Sequence, residues 1–169
     1  MRMEKEQMKK KFTILSIILI TVSLMTGCAS NDAGLKAIQY PPTDKVETIF
    51  QKKDIPESCR VFSHLFVNMP AGYTGAQFVE AVSKEAESKG ADMILIGQSR
   101  QCTTESELRF NYYGPDHEYK IRDWPAWSYG FEDWHEQGAW ANIGYNEWGD
   151  GSIFFDYPIL MQVVFLRCH

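Results

Sequence analysis

From residue 12 to residue 25 the chain is almost continuously apolar, and beyond residue 45 short alternating runs take over. Val46, Thr48 and Phe50 alternate with Glu47 and Ile49, which predicts a first strand, broken by Lys52-Lys53-Asp54 and Pro56. Arg60 to Asn68 is rich in β-branched and aromatic residues. The period of two places Val61, Leu65 and Val67 on one face and Phe62, His64 and Phe66 on the other, the pattern of a central strand. After a loop over Met69 to Tyr73, Thr74 and Gln77 form a capping-box signature that opens a helix over 75–89. Phe78, Val82 and Ala86 recur at four-residue spacing, with Val79 widening the stripe. Glu80, Lys84, Glu87 and Ser88 make its other face, and Gly90 stands where a left-handed terminator is needed. Met93 to Gly97 and Pro158 to Arg167 are two further apolar strands.

Two strands, a helix, a strand, a long excursion over 103–157 and a closing strand describe an α+β domain over 45–169. One main helix packs on a small mixed sheet in the order β-β-α-β, then the aromatic insertion, then a closing β. The strands flanking the helix are expected to be parallel and joined by a right-handed crossover.

The run Val46 to Phe50, the segment Cys59 to Asn68, the helix end Glu87-Ser88-Lys89-Gly90-Ala91-Asp92 and the strand Met93 to Ile96 resemble the envelope domain of the Rcs stress-sensor lipoprotein and the YbjQ-like family. The likeness covers roughly residues 45–102 and implies topology. That sensor lipoprotein has four disulfide-forming cysteines and no counterpart of the insertion. Its sensing role therefore does not transfer residue by residue.

The N-terminal apolar run changes the picture of where such a domain works. Lys9, Lys10 and Lys11 precede Phe12 to Met25, then Thr26, Gly27 and Cys28 follow, the order of a secretion signal over 1–27. Met8 is the alternative start. The run is shorter than the roughly 20 residues that span a bilayer. Leu24-Met25-Thr26-Gly27-Cys28 resembles the bacterial lipobox, with Met25 where the family usually has Leu, and implies cleavage before Cys28 and lipid on its thiol. The alternative is an ordinary secreted protein with a plain thiol there. Ala29 in place of Asp implies outer-membrane sorting, facing the periplasm. Residues 28–44, with Pro41-Pro42 and few apolar side chains, read as a flexible tether.

Removing residues 1–27 takes away five basic and two acidic residues, leaving 12 Lys plus Arg against 20 Asp plus Glu, a net −8. That balance excludes a nucleic-acid partner, which needs a basic stripe. It also leaves membrane attachment to the acyl chains of Cys28, with no other cofactor. Three thiols remain, Cys59, Cys102 and Cys168, without zinc spacing or a Cys-x-x-Cys pair. Cys59 precedes its strand and Cys102 follows a parallel one, so they lie roughly 20 Å apart at about 3.3 Å per residue, beyond the about 7 Å limit between Cα atoms of a disulfide. An antiparallel closing strand brings Cys168 to Cys59, and a parallel one brings it to Cys102. The first is expected, with Cys102 free and buried.

Between Phe110 and Tyr157, 15 of 48 residues are aromatic against 14% for the chain, so rings must be buried or displayed there. Gly130-Phe131-Glu132-Asp133-Trp134 and Gly144-Tyr145-Asn146-Glu147-Trp148 form a short repeat fourteen residues apart. One reading is a glycan or peptidoglycan platform in which Trp124, Trp127, Trp134, Trp140 and Trp148 stack on sugar while Asp133, Asn146 and Glu147 hydrogen-bond its hydroxyls. The other, given more weight, is that the rings form the insertion's own core over one face of the sheet. A protein-binding surface in the envelope also fits abundant Gly and Tyr.

Asp116-His117-Glu118 and Asp133, His135, Glu136 are the raw material of metal or acid–base chemistry, but sequence neighbours point in different directions. No metalloprotease, nucleophile-elbow or phosphate-loop motif occurs. His64, between Phe62 and Phe66, reads as a core histidine, and His169 as a frayed end. The expected function is a non-catalytic, outer-membrane-anchored binding, sensor or accessory lipoprotein.

Overall fold

Thr74 opens the main helix as its spacing from Gln77 predicts: its hydroxyl accepts the Gln77 backbone N–H at 3.4 Å and the Gln77 side-chain Oε1 accepts the Thr74 backbone N–H at 2.8 Å. The computed structural model describes residues 38–103, 107–124 and 130–169, apart from the side chains of Phe131 and Asp133. Residues 1–27, expected to be a secretion signal, Cys28 and residues 29–37 lie outside the described residues.

The elements are β1 (Glu47–Ile49), β2 (Cys59–Met69), α1 (Gly75–Ser88), β3 (Met93–Gln101), β4 (Arg109–Gly114), α2 (Phe131–His135), β5 (Trp140–Ala141) and β6 (Ile159–Cys168), with short 3-10 turns at Lys52–Asp54 and Ile121–Asp123. The sheet is mixed, in the order β1-β3-β6-β2-β4, with β5 pairing β3. β3 and β2 both run antiparallel to β6, so the strands flanking the helix are parallel to each other, as expected, but β6 lies between them. The last strand thus becomes the middle of the sheet, which is why eight of its ten residues are buried.

The faces of β2 differ from the period-of-two expectation. Phe62, Leu65, Val67 and Met69 pack in the core under α1 with Phe78, Val82 and Ala86. Cys59 and Val61 pack on the opposite face with Met93, Leu95, Val164 and Leu166, and Phe66 lies on that side too. The cause is a β-bulge. Val61 pairs Leu166 but Ser63 pairs Phe165, so two residues of β2 oppose one of β6 and the alternation flips there.

The tether also differs. Residues 38–44 are part of the domain: the Tyr40 and Thr43 N–H groups donate to the carbonyls of Lys89 and Glu87, and the Thr43 hydroxyl donates to Ala91 O at 2.6 Å. A helix end leaves carbonyls without intrahelical partners, and this Pro-rich segment satisfies them. Tyr40 meets Phe62 edge-on at 5.2 Å. Gly90 serves both needs of the turn, with φ +78° and a position where a Cβ would come within 2.5 Å of Tyr40 Cβ and Pro41 O.

The excursion divides between the two faces. It supplies the edge strand β4, which pairs β2 from Asn68↔Arg109 to His64↔Gly114. It then crosses the face opposite α1, where Tyr119, Ile121 and Trp124 pack on the Val61 cluster and Trp134 joins Phe66, Cys102 and Leu160. Its second half returns to the helix side, where Ala141, Ile143 and Phe155 enter the main core and Trp148 packs against it. The five-residue repeat is a structural device. In both copies the tryptophan N–H donates to the glycine carbonyl four residues earlier, at 3.0 Å, closing one helical turn.

Antiparallel pairing brings the end of β6 to the start of β2, and Cys59 and Cys168 form a disulfide, leaving Cys102 free and buried. Asp92 clasps the same corner. Its carboxylate accepts the Cys168 N–H at 2.8 Å and an Arg167 N–H at 3.4 Å.

Candidate functional site

β3 is bordered on one edge by β1 at residues Met93 to Leu95 and by β5 at Ser99 and Arg100, and no strand among the described residues pairs there with Gly97 or Gln98. This interruption coincides with a bulge against β6 between Ile96 and Ser99. A groove of about 260 Å³ fills the gap, lined by Gly97, Gln98, Ser99, Trp140, Ala141, Asn142 and Ile143. None of the seven carries a charge. Gln98 and Asn142 are exposed, whereas Ser99 is 4% exposed and its hydroxyl has no hydrogen-bond partner among the described residues.

Trp140 walls the groove and is 62% exposed, unusual for so large an apolar side chain. It is nevertheless held. The Arg100 guanidinium lies 5.1 Å from its ring centroid and 5.7 Å from that of Trp134, and the two indoles are 5.9 Å apart. Arg100 is itself fixed, donating from Nε to Gly138 O and from a terminal N–H to Trp134 O, both at 2.9 Å. A cation behind an indole gives the ring a stabilised, oriented seat.

The structure does not bring the tryptophans into one platform. Trp134 is buried against Phe66 at 5.8 Å, and Trp124 is half-buried beside His64 at 5.1 Å under the Lys52 ammonium, 3.8 Å from its ring. Trp148 meets Phe50 edge-on at 6.1 Å at the helix-side core. Asn146 is exposed, and Glu147 accepts the Gly144 N–H at 2.8 Å within its own turn. Trp127 and the Asp133 side chain lie outside the described residues. Gln98, Ser99 and Asn142 were not singled out by sequence reasoning, because only the strand gap makes them neighbours of Trp140.

Of the titratable clusters, Asp116 and His117 are paired at 3.0 Å but each is 81% exposed, and His169 contacts Glu118 at 3.5 Å. Among the described residues no group of three or more His, Cys, Asp or Glu is arranged to hold a metal ion.

His64 is fully buried, its ring stacked on Tyr119 with Nε2 hydrogen-bonded to the Tyr119 hydroxyl. Burial, and secondarily the Lys52 charge, pull its pKa down from 6.5 to about 4. The native state therefore holds a neutral ring, while the unfolded chain takes a proton below about pH 6.5. The stability this ring contributes is fully present above about 6.5 and is lost as pH falls toward 4. The expected loss is on the order of 3 kcal/mol at about 1.4 kcal/mol per unit. Urea unfolding at several pH values checks it: the stability difference between the native chain and a His64→Phe variant should shrink by that amount from pH 7 to 4, and a constant difference would contradict the assignment.

The hydroxyl of Tyr112 donates to the Glu85 carboxylate at 2.5 Å, and burial with that carboxylate keeps the phenol protonated far above its usual range. This contact ties β4 to α1 and adds no reactive group. Compared with protein-family models, curated proteins and solved structures, the chain finds no match.

Proposed function

We propose that this chain is a non-catalytic lipoprotein of the bacterial cell envelope, held in the outer membrane by lipid on Cys28 and facing the periplasm, whose domain binds an envelope component. The observation that carries the anchor is the order of Lys9-Lys10-Lys11, the apolar run to Met25, and Thr26-Gly27-Cys28. The Cys59–Cys168 disulfide supports it, since such bonds persist in oxidising compartments. Acyl chains would supply the membrane affinity that a surface of net −8 cannot. The resemblance to the stress-sensor group over 45–102 adds a sensing role as one form of binding, with a second envelope protein as partner.

Labelling growing cells with tagged palmitate tests the anchor. The expected result is label on the native chain in the outer-membrane fraction and none on a Cys28→Ser variant. A cleaved, unlabelled protein in the soluble periplasmic fraction would overturn it. A second reading, glycan or peptidoglycan binding, is favoured by one observation: the exposed Trp140 beside an uncharged groove.

A further inference from the structure

We infer that the groove beside Trp140 is a subsite for one N-acetylated sugar unit of a glycan. The inference rests on the binding reading above and specifies its ligand.

The ligand must offer an apolar face. Trp140 presents an indole 62% exposed, yet immobilised by Arg100 and backed by Trp134. A ring already ordered loses little conformational entropy on binding, and an amphipathic partner can lie flat on it. The C–H face of a pyranose is such a partner. Tyr145, 81% exposed, meets Phe50 edge-on at 6.1 Å but does not line this recess.

The ligand must also be uncharged and rich in hydrogen-bonding groups. The lining holds two exposed side-chain amides, Gln98 and Asn142, with no acid or base. Ser99 is 96% withdrawn from solvent and its hydroxyl is unpartnered among the described residues. That hydroxyl is too enclosed for a ligand in the groove to touch, so polar recognition falls to the exposed amides of Gln98 and Asn142. Anionic or cationic ligands would find no counter-charge in the lining.

An acetamide matches the remaining features. Next to the ring, no strand among the described residues pairs with β3 at Gly97 and Gln98, and exposed strand edges pair with amide groups, although the Gln98 N–H itself already donates to Gln162 Oε1 at 3.3 Å. Ala141 and Ile143 supply apolar lining for a methyl group. The volume, about 260 Å³, is below the roughly 300–1,000 Å³ of pockets that enclose drug-sized ligands, which suits one sugar ring of a longer chain.

The test uses the full chain purified in detergent and two soluble β-1,4 tetrasaccharides, chitotetraose with acetamides and cellotetraose without. Tryptophan emission and saturation-transfer NMR are followed through millimolar concentrations. The expected result is saturable binding of chitotetraose, at least tenfold stronger than cellotetraose. Trp140→Ala should weaken it tenfold or more, while Phe154→Ala, which removes another ring 62% exposed but outside the groove, should leave it unchanged. Asn142→Ala, which removes an exposed amide of the lining, should weaken binding severalfold. Equal binding of the two sugars would overturn the acetamide assignment. No response to chitotetraose, or a response that survives Trp140→Ala, would overturn the subsite. Those outcomes leave palmitate labelling untouched, and crosslinking to an envelope protein through residue 140 would then preserve the binding reading while replacing its ligand.

Discussion

Replacing both members of the Cys59–Cys168 disulfide by alanine is expected to lower the stability of the domain by about 4 kcal/mol. The bond joins residues 109 apart, so it closes nearly the whole domain into one loop. In the chain-entropy picture, a crosslink over about 100 residues removes close to 4.7 kcal/mol of unfolded-state freedom. The native corner is also held without it. Arg60 pairs with Arg167 in the β2–β6 ladder, and Asp92 accepts the Cys168 N–H at 2.8 Å. The fold should therefore survive in the variant, with its stability rather than its topology reduced. Urea unfolding of the oxidised native chain and the double variant measures the difference. A loss under about 1 kcal/mol would mean that the unfolded chain already keeps these ends together.

Trp134→Ala should cost about 3–4 kcal/mol, whereas Trp140→Ala should cost only about 1 kcal/mol, the worth of its surface contacts with Arg100 and Trp134. Trp134 is 7% exposed and fills the space between Phe66, Cys102 and Leu160 on the face opposite the main helix. Its loss leaves a cavity bounded by β2 and β6 that neither strand can close. The Arg100 guanidinium, which lies 5.7 Å from its ring, would lose one of its two aromatic neighbours. Trp140 projects outward and leaves no hole. Thermal unfolding of the two variants separates these cases directly. Equal losses would show that the exposed indole, too, supports the fold, and its role as a ligand platform would then need a different argument.

The comparison of these two tryptophans also shows where reading the sequence stops. The helix, its capping box, its Gly90 terminator and the apolar strands were legible because each signal lies within a few residues of the structure it specifies. The disulfide was legible at one remove, through the direction of the closing strand. The faces of β2 were not, because one extra residue at Ser63 inverts the alternation and no local signal marks that insertion. The composition of residues 38–44 reads as tether. Their role emerges only when the helix end, with its unpaired carbonyls, is in place beside them. The excursion was rightly expected to bury rings. Its edge strand β4 went unrecognised among so many aromatics.

By itself, the sequence determined the α+β class and the order of helix and principal strands, and it carries the N-terminal pattern on which the proposed lipid anchor rests. Only the tertiary structure decided that β6 occupies the middle of the sheet, that the insertion covers one face and joins the core of the other, and that Trp140 alone among the described tryptophans stands largely in solvent. The reason is physical. Periodicity and capping are local free-energy preferences, carried by residues within one or two turns. The burial of a particular indole depends on which distant strands close around it, and the four described tryptophans, identical in chemistry, acquire different roles only through those contacts.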